Sequence, residues 1–512
     1  MTTTCLLILA GVSYAADGSA SVKLGYTIIS DTGSLGVNQE TYNSYEGFGF
    51  SVQNLRYAFA NGVTLGADLK NVTLNNRNMR AIIAKPGRFS ASLSNSQYRR
   101  AYTFDGSAFT RRRQTGFQAS YQPSRYFKFF GGYSLNDKHG ESASILDHAS
   151  DTVITSTDYR QTSYNVGSEI GDRYGVVRVD YRHSLFDDRL FANADRKADR
   201  LSVSISRSIP RLKRVFLAGG YTYRKDTALV WESSLRTNEL WGALKASFSG
   251  GVLAEYRVIY DMTKHVGYLQ ETDNVAHTFA IGKNWGRIGG IQAGYEQRIA
   301  DNFINKTSSN GFIGNAWYRP TQNWSFSARM SMRDKNVVEG TTLTGTESTV
   351  KNRFIVSYSD TSWGYFTVRW QSRSRTGDDL NSKIDYQSLT PNFSLETKRF
   401  GRLEASYSYT TGTYENMSEV AGYRFLDHLL TAALYLPTWR NLLIDVGGTY
   451  YRSRRSQDLE KSRLNFGAMY TMRNEYHLEV RYNVFNYDNF RVNNSYYTGN
   501  IVEMNFIKDI SF

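Results

Sequence analysis

The sequence predicts an all-β protein, a single large antiparallel transmembrane β-barrel of about 26 strands (within about 22–28). Three observations lead there. Apolar and polar residues alternate with period two in segment after segment. Short turns and longer polar stretches take turns between those segments. The composition is aromatic and poor in proline, with Tyr 37, Phe 28 and Trp 8 against Pro 6. A mean hydropathy of -0.48 and the lack of any apolar run near the ~18 residues of a membrane helix exclude a helical membrane protein. Disorder is excluded by the 14% aromatic content, because disordered chains lack apolar surface to bury.

The N-terminal segment reads separately from the fold. Leu6 to Gly11 form a short apolar stretch and Ser13-Tyr14-Ala15 a small-x-small cleavage site, which makes residues 1–16 a secretory signal peptide and residues 17–512 the barrel. The chain's one cysteine, Cys5, falls in that leader. The mature part is therefore expected to form no disulfide, to hold no thiolate metal site and to attach no haem through C-x-x-C-H. The net charge of +14 is spread along the chain rather than gathered in a patch, so nucleic acid is not an expected partner.

The strands carry the strongest signal. Tyr476, Leu478, Val480, Tyr482 and Val484 alternate with His477, Glu479, Arg481 and Asn483. Val252 to Tyr260, Val177 to Arg182 and Phe366 to Gln371 repeat the pattern, which puts apolar groups on one face and charges on the other. Short turns are read at Ala60-Asn61-Gly62, Pro86-Gly87, Gly171-Asp172-Arg173, Arg319-Pro320-Thr321 and Leu436-Pro437-Thr438, and polar loops at 137–156, 335–347 and 376–385 among others. Turns on one side and loops on the other are the pattern of a Gram-negative outer-membrane barrel, in contact with lipid and lipopolysaccharide. Pro391 is the one proline set within a strand. Phe512 closes an apolar last strand and resembles the C-terminal signal of outer-membrane barrels.

Twenty-six strands ~4.8 Å apart at a tilt near ~40° enclose a circumference of roughly 160 Å and a diameter of roughly 50 Å. No interior stretch is long enough to fill that bore, so the sequence predicts no plug domain and an occupant from outside. The inner face is expected to carry Arg178, Asp180, Arg182, Glu255, Arg257, Glu296, Arg369, Asp445, Glu479, Arg481 and Glu503. Both signs are represented, which suits hydrated contact with a protein better than ion selection by one dominant sign. Pairing of these charges with one another across neighbouring strands is the plainer reading of each.

Enzyme signatures such as G-x-x-x-x-G-K-[ST], G-x-S-x-G and H-E-x-x-H do not occur, so no catalytic, cofactor-binding or metal site is assigned. Phe117 to Pro123 followed by Tyr126 to Tyr133, Ala316 to Pro320 followed by Trp324 to Met330, and Phe50 to Tyr57 leading to Gly66-Ala67-Asp68-Leu69 are the pieces on which a family resemblance rests. Their aromatic, glycine and turn placement resembles the porins of porin-cytochrome electron conduits, the MtrB/PioB-like type. That resemblance implies a barrel that insulates a periplasmic multihaem c-type cytochrome in its lumen and passes electrons to an extracellular cytochrome or acceptor at the long loops. All haem would then come from the partners. A general or substrate-specific diffusion porin is the alternative.

Overall fold

The computed structural model describes residues 18–33, 44–101, 109–145, 152–209, 214–230, 233–266, 270–302, 305–340, 347–377, 382–397, 399, 401–416, 422–455, 458–472, 475–491 and 496–511. The leader and Phe512 lie outside them. Among the described residues twenty-six strands, from β1 (Gly18–Gly33) to β26 (Tyr496–Ser511), make one sheet in which each strand pairs antiparallel with the next in sequence. The sheet closes on itself, because β1 also pairs with β26 from Ser19↔Ser511 to Gly33↔Tyr497. Closure removes the free edge, so the ladder donors and acceptors of every strand find partners within the wall, as a hydrocarbon surrounding requires.

The direction of the side chains follows from the pleat. On β25 (Tyr476–Asn489), Leu478 and Val480 are each 47% exposed while Glu479 between them is 8% exposed. The same inversion runs round the sheet, with Leu93, Val166, Leu240, Phe312 and Phe354 among the exposed large apolar groups. Among the described residues only Ala20, Val52, Tyr57, Phe485, Tyr497 and Ile501 are buried hydrophobics. A belt of exposed apolar groups around a polar interior would aggregate in water and is stable in a bilayer.

Strand lengths differ from the expected ~9 to 15 residues. β3 (Thr64–Lys70) has 7 residues and β8 (Thr152–Gly171) has 20. Much of the stretch 137–156, expected as a loop, is strand in β7 (Phe127–Ile145) and β8. Twenty residues at ~3.3 Å each and a tilt of ~40° rise ~50 Å, about twice the ~25 Å apolar band. Beyond that band both faces of the ladder meet water, so Asn136, Asp137, Lys138 and His139 continue the strand without alternation. Pro391 sits inside β20 (Ser382–Thr397), paired with Val368; the ladder to β21 (Gly401–Asn416) passes from Leu389↔Tyr409 to Asn392↔Ser406 without it.

Candidate functional site: the inner wall of the barrel

All eleven charged residues expected on the inner face lie on the parity opposite the exposed apolar groups. On β9 (Gly175–Asp188), Arg178, Asp180 and Arg182 alternate with Val177, Val179 and Tyr181. Arg178 pairs with Asp180 at 3.5 Å and lies 4.5 Å over the Phe130 ring. On β13 (Val252–Val266), Glu255 stands opposite Lys245, and Arg257 opposite Thr278. Glu296 of β15 (Gly289–Asn302) forms an ion pair with Arg333 of β17 (Trp324–Gly340), reaching across the intervening strand. Asp445 of β23 (Leu442–Arg455) faces Gly467.

Glu479, Arg481 and Glu503 belong to the seam where the barrel closes. Glu479 accepts from Lys23 at 3.0 Å, from Arg481 at 2.6 Å and from the Asn505 amide at 3.0 Å, joining β25, β26 and β1. Glu503 stands opposite Arg481. Asn505 leans over Gly25, whose missing Cβ leaves the space the amide occupies. Towards one end of the seam Ser21 donates to Asp509 at 2.5 Å, and Asp509 also meets His477 at 2.9 Å. Towards the other, Phe485, Tyr497 and Ile501 pack with Ile29 and Tyr487. These contacts hold the first strand to the last, so the seam charges serve closure of the wall.

The eleventh residue, Arg369, has different company. It lies on β19 (Gly364–Gly377), beside β18 (Glu347–Asp360) and β17. The pairing register sets Arg329 directly opposite Arg353 and Lys351 directly opposite Arg373, with Arg353 opposite Gln371, two positions from Arg369. All five cations are exposed, on the parity away from the lipid-facing Phe326, Met330, Phe354, Phe366 and Trp370. None of the five is in an ion pair among the described residues, whereas their outer neighbours Arg333 and Arg375 pair with Glu296 and Glu347. The wall is thus not evenly mixed. Four members of this patch, Arg329, Lys351, Arg353 and Arg373, escape a reading of single strands, because only the register brings them together.

This architecture defines a Gram-negative outer-membrane β-barrel. No family model matches the chain, and no curated protein matches it. Among solved structures the chain is similar to the siderophore receptor PirA from Acinetobacter baumannii, at TM-score 0.52 and 7% identity over 98% of this chain and 81% of that one. It is also similar to the FrpB iron transporter from Neisseria meningitidis (0.51, 10% identity, 98% and 82% covered). PirA from Pseudomonas aeruginosa matches at TM-score 0.50 and 11% identity, with 83% and 80% covered. At these identities the likeness is one of fold.

Three expectations are corrected by these likenesses. The barrel without a plug domain is withdrawn: the similar structures are receptors of a plug-bearing class, and about a fifth of their length has no counterpart in this chain. Sheathing of a multihaem c-type cytochrome, with the electron-transfer role and the luminal and extracellular cytochrome partners attached to it, is overturned, since the structures of like fold are named as siderophore receptors and an iron transporter. A plain diffusion porin does not describe those structures either. A bore of this width accommodates a protein occupant, yet it serves a transport barrel equally well. The similar structures are named as receptors and a transporter, none as an enzyme, which agrees with the lack of an enzyme signature in the sequence.

Proposed function

We propose that this chain is the wall of a solute-transport barrel of the outer membrane, admitting a solute that contacts the polar inner face. One observation carries the reading: a closed 26-stranded sheet whose apolar face looks outward and whose charged face lines a bore ~50 Å across. A wall of that kind keeps water and charged solutes away from lipid while presenting them with hydrogen-bonding groups. The neighbours of like fold are named as siderophore receptors and an iron transporter, which makes metal chelates the first solutes to try. The chain itself is proposed to hold no cofactor. Kinship with the MtrB/PioB-like porins is kept as a proposal about the ancestry of the barrel alone, supported by the turns at Pro123 and Pro320.

The test is uptake of radiolabelled ferric chelates by Gram-negative cells deficient in their own outer-membrane receptors and porins, with and without the full chain, alongside efflux of size-graded solutes from proteoliposomes. Faster entry or efflux with the chain supports the reading. Equal rates for every solute in both assays refute it.

A further inference from the structure

We infer that the patch formed by Arg329, Lys351, Arg353, Arg369 and Arg373 is a binding site for a multivalent oxyanion, a solute bearing several carboxylate or phosphate groups. The inference deepens the transport reading and rests on it for its biological purpose, while its chemistry is separable. The inner positions from Ser325 to Ser331 on β17, from Lys351 to Ser357 on β18 and from Thr367 to Arg373 on β19 hold these five cations and no acid. Several cations elsewhere on the wall have an acidic partner, as Arg178 has Asp180, Arg224 has Asp226, and Lys23 and Arg481 share Glu479, although Arg200 stands opposite both Arg182 and Arg224.

Like charges set directly opposite on neighbouring strands are destabilising, so Arg329 facing Arg353 is a local cost that the fold leaves in place. What sets this sector apart from the Arg182–Arg200 pair is that three consecutive strands carry, over these inner positions, five cations with no acid among them, and departures from local consistency of this size fall at functional sites. Opposed positions lie ~5 Å apart and diagonal ones ~7–8 Å apart, a spacing that lets several guanidinium forks reach one polyanion together. Four of the five are arginines, whose planar donors match carboxylate and phosphate geometry. Lipid cannot supply the anion, because these residues are on the face turned away from it. A run of one sign on a pore wall is also how anion and phosphate pores select their solutes. The even mixture of signs expected from single strands is therefore replaced, on this sector, by one sign.

The test uses the full chain in detergent, titrated calorimetrically with sodium tripolyphosphate at low salt, and the same protein in planar bilayers under a potassium chloride gradient. Saturable binding that weakens as salt screens it is expected. The triple variant R329Q/R353Q/R369Q should weaken it roughly tenfold or more, three exposed ionic contacts being removed. The control R178Q/R224Q, which removes two cations with acidic partners, should change it less than about threefold. No tripolyphosphate binding, binding indifferent to the triple variant, or an equal loss in the control each overturns the inference; the first would leave an acidic protein segment as the occupant to examine. Should the triple variant lose the heat-modifiable gel mobility of a folded barrel, R353Q alone is titrated, with a loss of about twofold or more expected and no change overturning the inference. Calorimetric binding without any bilayer conductance sustains this inference and counts against the transport reading, so the two fail separately.

Discussion

Replacing Glu479 with Gln tests whether the seam network closes the barrel. Glu479 is 8% exposed and accepts three side-chain hydrogen bonds, from Lys23, Arg481 and Asn505. Lys23 is about a quarter exposed and Arg481 half exposed, so solvent screens the second pair more than the first. A charge-assisted bond at the more buried contact contributes ~1.5 kcal/mol, the screened one ~0.5, and the amide bond ~1. Glutamine retains one acceptor and loses the charge, so Glu479→Gln is expected to destabilise the barrel by ~2 kcal/mol. Urea unfolding in lipid vesicles, followed by tryptophan fluorescence, measures this. A double-mutant cycle with Lys23→Met should return a coupling of ~1 kcal/mol between strands that are not neighbours in the sheet. A Glu479→Gln variant within ~0.5 kcal/mol of the parent would refute the network as the latch.

Other perturbations test separate parts of the wall. Gly25→Ala drives a methyl group into the Asn505 amide and is expected to cost ~1–3 kcal/mol in the same unfolding assay. Leu240→Arg places a cation on the lipid face, where Leu240 is 57% exposed, and should cost ~2–4 kcal/mol; Ala280→Arg on the inner face opposite Glu255 should stay within ~0.5 kcal/mol. Arg353→Gln relieves the like-charge pair with Arg329, so it should stabilise the fold by ~0.2–1 kcal/mol while weakening tripolyphosphate binding. In the turn after β8, backbone N–H groups of Tyr174 and Gly175 donate to Asp172 at 2.8 and 2.9 Å and hold its carboxyl below the ordinary 3.8. A lowered carboxyl pKa contributes stability above the ordinary value and loses it as pH falls through the folded one. The difference in thermal midpoint between the parent and Asp172→Ala should therefore be largest at neutral pH and close as pH drops below 3.8.

How much of this was legible in the sequence depends on which physical interactions act along a strand and which act between strands. Alternation is a property of single strands, so Leu478 against Glu479, or Val179 against Asp180, assigns each side chain a face without further knowledge. Strand ends above the membrane were not legible, because Asn136 to His139 are polar on both faces and read as loop although the ladder continues through them. The basic patch was hidden for the same reason that sheets are hard to read: Arg329, Arg353 and Arg369 are far apart in the chain, and only the register makes them neighbours. Repeated Arg and Lys at spacings of two and four on three consecutive strands was the available signal. The occupant of the bore was inferred from its width, and width alone does not distinguish a protein from a solute.

The account stands on a hydrated, charged inner face behind an apolar outer one. With Cys5 changed to Ser, single cysteines from Phe366 to Gln371 on β19 can be treated with a water-soluble, membrane-impermeant thiol reagent in reconstituted barrels. Rapid labelling at Thr367, Arg369 and Gln371 with protection at Phe366, Val368 and Trp370 is the expected result. Labelling without that period of two, or protection at all six positions, would contradict it.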